Sequence, residues 1–126
     1  IYMYIDYKKT TLAIIFSIII IGLIAIPIGN PKFIYGAIGL ELSFVVLSIL
    51  LWKGYTQVLY ACIPLSVLVI VGNTLAPPHV NLMLTFSKPL NAIVLIVGGY
   101  ILQTLLIFFS IKYLSEIRSK KLSKKL

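Results

Sequence analysis

Along this chain the apolar residues neither alternate with polar ones nor keep to one helical stripe; they fill four long runs on every side. The runs read at about 11–28, 33–52, 57–76 and 89–114, with polar or turn-forming residues between them. A bilayer core about 30 Å thick takes about 20 helical residues per crossing. A membrane barrel needs polarity that alternates at period two, which these runs lack, so helices are what satisfy the backbone within lipid. The pattern predicts an all-α integral membrane protein, with a single four-helix transmembrane domain over 1–114 and a basic tail over 115–126.

The breaks between runs carry recognisable turn chemistry. Gly29, Asn30 and Pro31 end the first run, and Pro77 and Pro78 end the third, because a proline ring cannot continue a helix that precedes it. Pro64, inside the third run, predicts a kink against the carbonyl of Tyr60. The stretch from Pro77 to Lys88 departs most from lipid-like composition and predicts an external loop, with Met83, Leu84 and Phe86 folded back toward the headgroups. The first run is too long for a signal peptide and no small-x-small site follows it, so a retained helix is expected, with Met3 a candidate start.

Composition strengthens the membrane reading: 60% of the residues are hydrophobic, 11% are charged and the mean hydropathy is +1.09. That is more apolar surface than a soluble domain of this size buries. The charges also set an orientation. Lys8, Lys9, Lys53, Lys112, Arg118, Lys120, Lys121, Lys124 and Lys125 fall on one side of four crossings, and only Lys32 and Lys88 fall on the other. The positive-inside rule then puts both termini in the cytoplasm of a multi-pass protein of the cell membrane. The tail cations Arg118, Lys120, Lys121, Lys124 and Lys125 follow directly on a membrane helix, which favours anionic lipid headgroups over nucleic acid as their partner.

Few residues carry chemistry. Glu41 stands near the middle of the second run, where an ionised group costs at least about 2.5 kcal/mol and usually faces a bundle interior or water. Two roles are open to it, a protonatable group of a proton path or a buried polar contact that glues helices together. Gly36, Gly39 and Ser43 beside it, and Gly98, Gly99 and Gln103 in the fourth run, form two small-and-polar patches suited to close helix packing. Cys62 and His79 each stand alone as their residue type, so no disulfide, zinc, iron–sulfur or bis-histidine haem site is expected from this chain, and no metal or other cofactor. No nucleophile triad, phosphate loop or paired carboxylate is present, and the chain by itself is not expected to be an enzyme.

The string AIGLEL, residues 37–42, in the second crossing of a short polytopic chain resembles the small K-type subunit of complex I and the related C-type subunit of multisubunit cation/proton antiporters. The segment KPLNAIVL, residues 88–95, is similar to the opening of the last helix in the antiporter relatives. The resemblance implies that Glu41 belongs to a membrane proton pathway. The chain departs from that pattern in having no carboxylate in its third crossing and Lys88 where the relatives carry aspartate. The expectation is a small non-catalytic membrane subunit of a larger respiratory or energy-converting complex, with other membrane subunits and the bilayer as partners. A K- or C-type proton-path subunit with Glu41 titrating, and a small homo-oligomeric transporter, are the alternatives.

Overall fold

The structure, a computed structural model, describes residues 6–29 and 31–125. Met3 and Asn30 lie outside the described residues. Six helices follow one another: α1 (Tyr7–Ile28), α2 (Ile34–Trp52), α3 (Leu59–Thr74), α4 (Pro77–Thr85), α5 (Pro89–Ile96) and α6 (Leu102–Lys125). Short 3₁₀ turns lead into α2 and α3, and a π-helical turn, Val97–Ile101, joins α5 to α6. Counting these extensions, four helical stretches are long and apolar enough to cross a membrane: Tyr7–Ile28, Pro31–Trp52, Thr56–Thr74 and Pro89–Lys124. Among the described residues there is no strand.

Three boundaries differ from the expectation, each for a local reason. α1 begins at Tyr7, about one turn before the apolar run, because the Asp6 carboxylate accepts the Lys9 backbone N–H at 3.1 Å and caps the polar turn. The expected loop after the third crossing is instead the nine-residue helix α4. Pro77 and Pro78 stop α3 and start α4, since proline at the first helical positions gives up only N–H groups that have no intrahelical partner. Leu84 is 80% exposed, and Phe86, at the left-handed end of α4, is exposed as well. The last helix does not end at 114. It continues to Lys125 because nothing after Gly99 breaks it and Glu116 pairs with Lys120 at 2.9 Å one turn on. The stretch Pro89–Lys124 holds 36 residues, about 54 Å at roughly 1.5 Å per residue, which exceeds a hydrocarbon core of about 30 Å.

The helices form an arc. α2 packs along α1, α1 along α6, and α6 along α3. The core gathers at the end where α2 turns into α3: Leu12, Ile15 and Ile18 of α1 meet Phe44, Leu47 and Leu51 of α2, Leu59 and Cys62 of α3, and Leu106 of α6. Phe16 against Trp52 and Tyr7 against Phe109 close the same end, with ring centroids 6.2 and 6.3 Å apart. Ile20, Leu23, Leu42 and Leu68 point outward and are exposed, an apolar surface of the kind lipid covers. At the opposite end the arc opens, and α4 and α5 stand across the gap from α2.

Candidate functional site

The open end of the arc holds a cavity of about 670 Å³, walled by α1, α2, the end of α3, α4, α5 and the start of α6. Its rim includes Phe33, His79, Asn81 and Lys88, and its inner part includes Ile18, Phe44, Glu41 and Gln103. Most of the wall is aliphatic. The polar groups on it come from different elements: Glu41 on α2, Asn73 on α3, His79 and Asn81 on α4, Asn91 on α5 and Gln103 on α6.

Close helix approach holds this cavity in shape. Gly22 of α1 is the seat of Glu41: a Cβ placed there would fall on the carboxylate, 2.8 Å from its Cδ. Gly98 admits the side chain of Ile21, at 2.6 Å from such a Cβ, and Gly99 admits the amide of Asn73. The π turn that contains both glycines is tied to α3 by the Tyr100 hydroxyl, 2.9 Å from Thr74 Oγ1. Asn91 Nδ2 donates to the Ile28 carbonyl at 2.8 Å, one of the helix-terminal carbonyls that has no partner within α1. Gln103, 1% exposed, donates through Nε2 to the Gly98 carbonyl at 3.1 Å.

Three buried polar atoms of residues that line this cavity, Glu41 Oε1, Gln103 Oε1 and His79 Nδ1, have no hydrogen-bond partner among the described residues. A buried polar atom left unpaired costs about 1–3 kcal/mol. His79 stacks on Phe33 with ring centroids 4.9 Å apart, and burial holds its imidazole below the usual value of 6.5. The folded chain thus prefers neutral His79, while the unfolded chain takes up its proton first. This contribution to stability is fully present above the ordinary imidazole pKa and is lost as the pH falls below it. The melting temperature of the solubilised protein is expected to drop between about pH 7 and about pH 5, and His79→Gln to drop less. Equal drops in the two proteins would show that His79 does not carry the effect.

The two patches expected to pack behave differently. Gly98, Gly99 and Gln103 lie in the seam between α6, α3 and α1 and on the cavity wall. Gly36 and Gly39 are exposed, with nothing within 4 Å of an added Cβ, and the exposed Ser43 returns its hydroxyl to the Gly39 carbonyl at 2.8 Å. Among the described residues nothing packs on Gly36 or Gly39. The cations Arg118, Lys120, Lys121 and Lys124 are exposed on the last turns of α6, and the side chain of Lys125 lies outside the described residues. Among the described residues, no three of His, Cys, Asp and Glu converge as metal ligands would.

Sequence reasoning missed Gly22. Its signal was a lone glycine in the run IIIIGLIAI, where it costs a helix about 1 kcal/mol against alanine and so marks a close approach. Compared with known proteins, the chain matches no family model, no curated protein and no solved structure.

Proposed function

We propose that this chain is a small non-catalytic subunit of a larger proton-coupled membrane complex, respiratory or otherwise energy-converting, in which Glu41 exchanges a proton with the cleft. The observation that carries the reading is the position of Glu41. Its carboxylate sits over Gly22 on the inner wall of a cavity that reaches the Lys32 and Lys88 end of the bundle, with Oε1 unpartnered. A protonated Glu41 acting as packing glue needs a hydrogen-bond partner on a neighbouring helix, and among the described residues Oε1 has none. A carboxylate that takes up and releases a proton needs polar groups between it and water, and His79, Asn81 and Asn91 stand on the wall of the same cavity. The distribution of lysine and arginine supports cytoplasmic termini, which makes the cleft an outward-facing half-channel in the cell membrane.

The test is Glu41→Gln in the assembled complex reconstituted into vesicles. The amide keeps the size and most of the hydrogen bonding of the acid but cannot exchange a proton. Assembly is expected to be unchanged and proton translocation lost. Full translocation by Glu41→Gln would overturn the reading. The orientation has its own test: a tag inserted beside His79 is expected to be accessible from outside intact cells, and protection of that tag would reverse the half-channel.

A further inference from the structure

In the sequence the tail cations are equivalent, but the fold separates two of them from the rest. Where α6 passes the 3₁₀ turn that leads into α3, the two leave a second cavity, an open groove of about 390 Å³. Arg118 and Lys121 line it from α6, and Lys120 and Lys124 do not. Leu114, Arg118 and Lys121 follow one another at spacings of four and three, which puts them on one face of the helix. Leu114 and Ile117 also line the groove and pack against the core, so this part of its wall is apolar and fixed in place. Thr56, Gln57 and Tyr60 face the two cations from the start of the third crossing. Neither cation has an acidic partner among the described residues. The chain has three acids, and none of them lines the groove: Asp6 caps α1, Glu41 stands on the larger cavity, and Glu116 pairs with Lys120 at 2.9 Å. Two uncompensated cations beside hydroxyl and amide donors are complementary to an anion with several acceptor oxygens, as a phosphate has.

We propose that this groove is a discrete site for one anionic phospholipid, whose phosphate is held between Arg118 and Lys121. A free phosphate offers the same oxyanion, but two features of the groove favour the lipid. Its apolar wall, Leu114 and Ile117, gives a free phosphate nothing and suits the glycerol and first methylenes of a lipid. Its depth is that of the headgroups: Tyr60 on its wall is exposed, as are Trp52 and Tyr55 just before it, and such aromatic side chains collect where hydrocarbon gives way to headgroups. The guanidinium of Arg118 can present two parallel N–H groups to one phosphate, which Lys121 supplements as a point charge. A basic tail of any sequence is drawn to an anionic leaflet; a site is different in that two of its cations, and not the others, decide the affinity. Glu41 takes no part in it, so the site stands or falls separately from the proton-path reading.

The experiment titrates the full chain, in a neutral detergent, with phosphatidylglycerol or with phosphatidylcholine and counts bound lipids by native mass spectrometry. The first phosphatidylglycerol is expected to bind at least about tenfold more tightly than phosphatidylcholine and than a second phosphatidylglycerol. The double variant Arg118→Gln, Lys121→Gln is expected to lose that preference while binding phosphatidylcholine as before, which reports an intact fold. The double variant Lys9→Gln, Lys124→Gln removes the same charge from exposed positions outside the groove and is expected to keep the preference within about twofold. Excess inorganic phosphate is expected to leave the first phosphatidylglycerol bound. Its displacement would assign the groove to a soluble phosphate and overturn the lipid site. Equal binding of the two lipids by the wild-type chain, a preference that survives Arg118→Gln, Lys121→Gln, or equal losses in the two double variants would overturn it as well, the last by showing attraction to the tail as a whole.

Discussion

Gly22→Leu is expected to silence the cleft as fully as Glu41→Gln, although residue 22 has no titratable atom. A Cβ at this position falls on the Glu41 carboxylate, 2.8 Å from its Cδ, and the next nearest atom is Oε1 at 3.2 Å. The obstruction is the far end of a flexible side chain rather than backbone, so the carboxylate swings away instead of the helices parting. Leucine is also the better helix former, by somewhat less than the about 0.8–1 kcal/mol that separates glycine from alanine, which keeps α1 intact. The expected outcome is a folded chain with near wild-type thermal stability that assembles normally and loses at least about tenfold in proton translocation, the size of effect a misplaced reacting group brings. Infrared difference spectra on a pH jump are expected to show the Glu41 carboxyl band shifted, since its surroundings change from cleft to lipid. Wild-type translocation by Gly22→Leu would show that the seat over Gly22 does not set the function of Glu41.

Leucine at Gly99 and leucine at Gly39 are expected to have opposite consequences. Gly99 is buried in the π turn, and a side chain there meets the Asn73 amide on α3. Gly99→Leu therefore forces α3 and α6 apart or drives Asn73 into the cavity, at the typical overpacking cost of about 1–3 kcal/mol. A melting temperature lower by several degrees and loss of the Thr74–Tyr100 contact are the readouts. Gly39→Leu meets open space and is expected to leave the melting temperature of the isolated chain within a degree or two. If the Gly36, Gly39 and Ser43 face is where another subunit docks, the same substitution weakens co-purification with that subunit, because its backbone can no longer approach. A destabilised Gly39→Leu chain with unchanged partners would reverse both assignments.

The four membrane-length helical stretches were legible in the residues because the signal is local. A run of about 20 apolar residues bounded by proline, glycine or lysine has one stable form in a bilayer, whatever it packs against. Glu41 was legible for the same reason: a carboxylate in hydrocarbon is costly wherever its helix sits. Helix ends were less so. The Asp6 cap, the restart at Pro77 and the continuation of α6 to Lys125 each depend on capping or on side-chain pairs outside the apolar runs.

What only the tertiary structure decided is which way each helix faces. Gly22, Gly36, Gly39, Gly98 and Gly99 are alike as residues in apolar runs, yet three of them admit a neighbour and two look outward. A helix that is apolar all round has no stripe to mark its inner face, so rotation about its axis is set by the partners it meets and not by its own pattern. The same rotation turns Glu41 onto Gly22 and brings it to one cavity with Asn73, His79, Asn91 and Gln103, residues far apart in sequence. The sequence by itself determined four helices long and apolar enough to cross a membrane and an acid that is costly there; packing determined that the acid lies over Gly22 on the wall of a mostly aliphatic cavity, because that choice is made by the shapes of several helices at once.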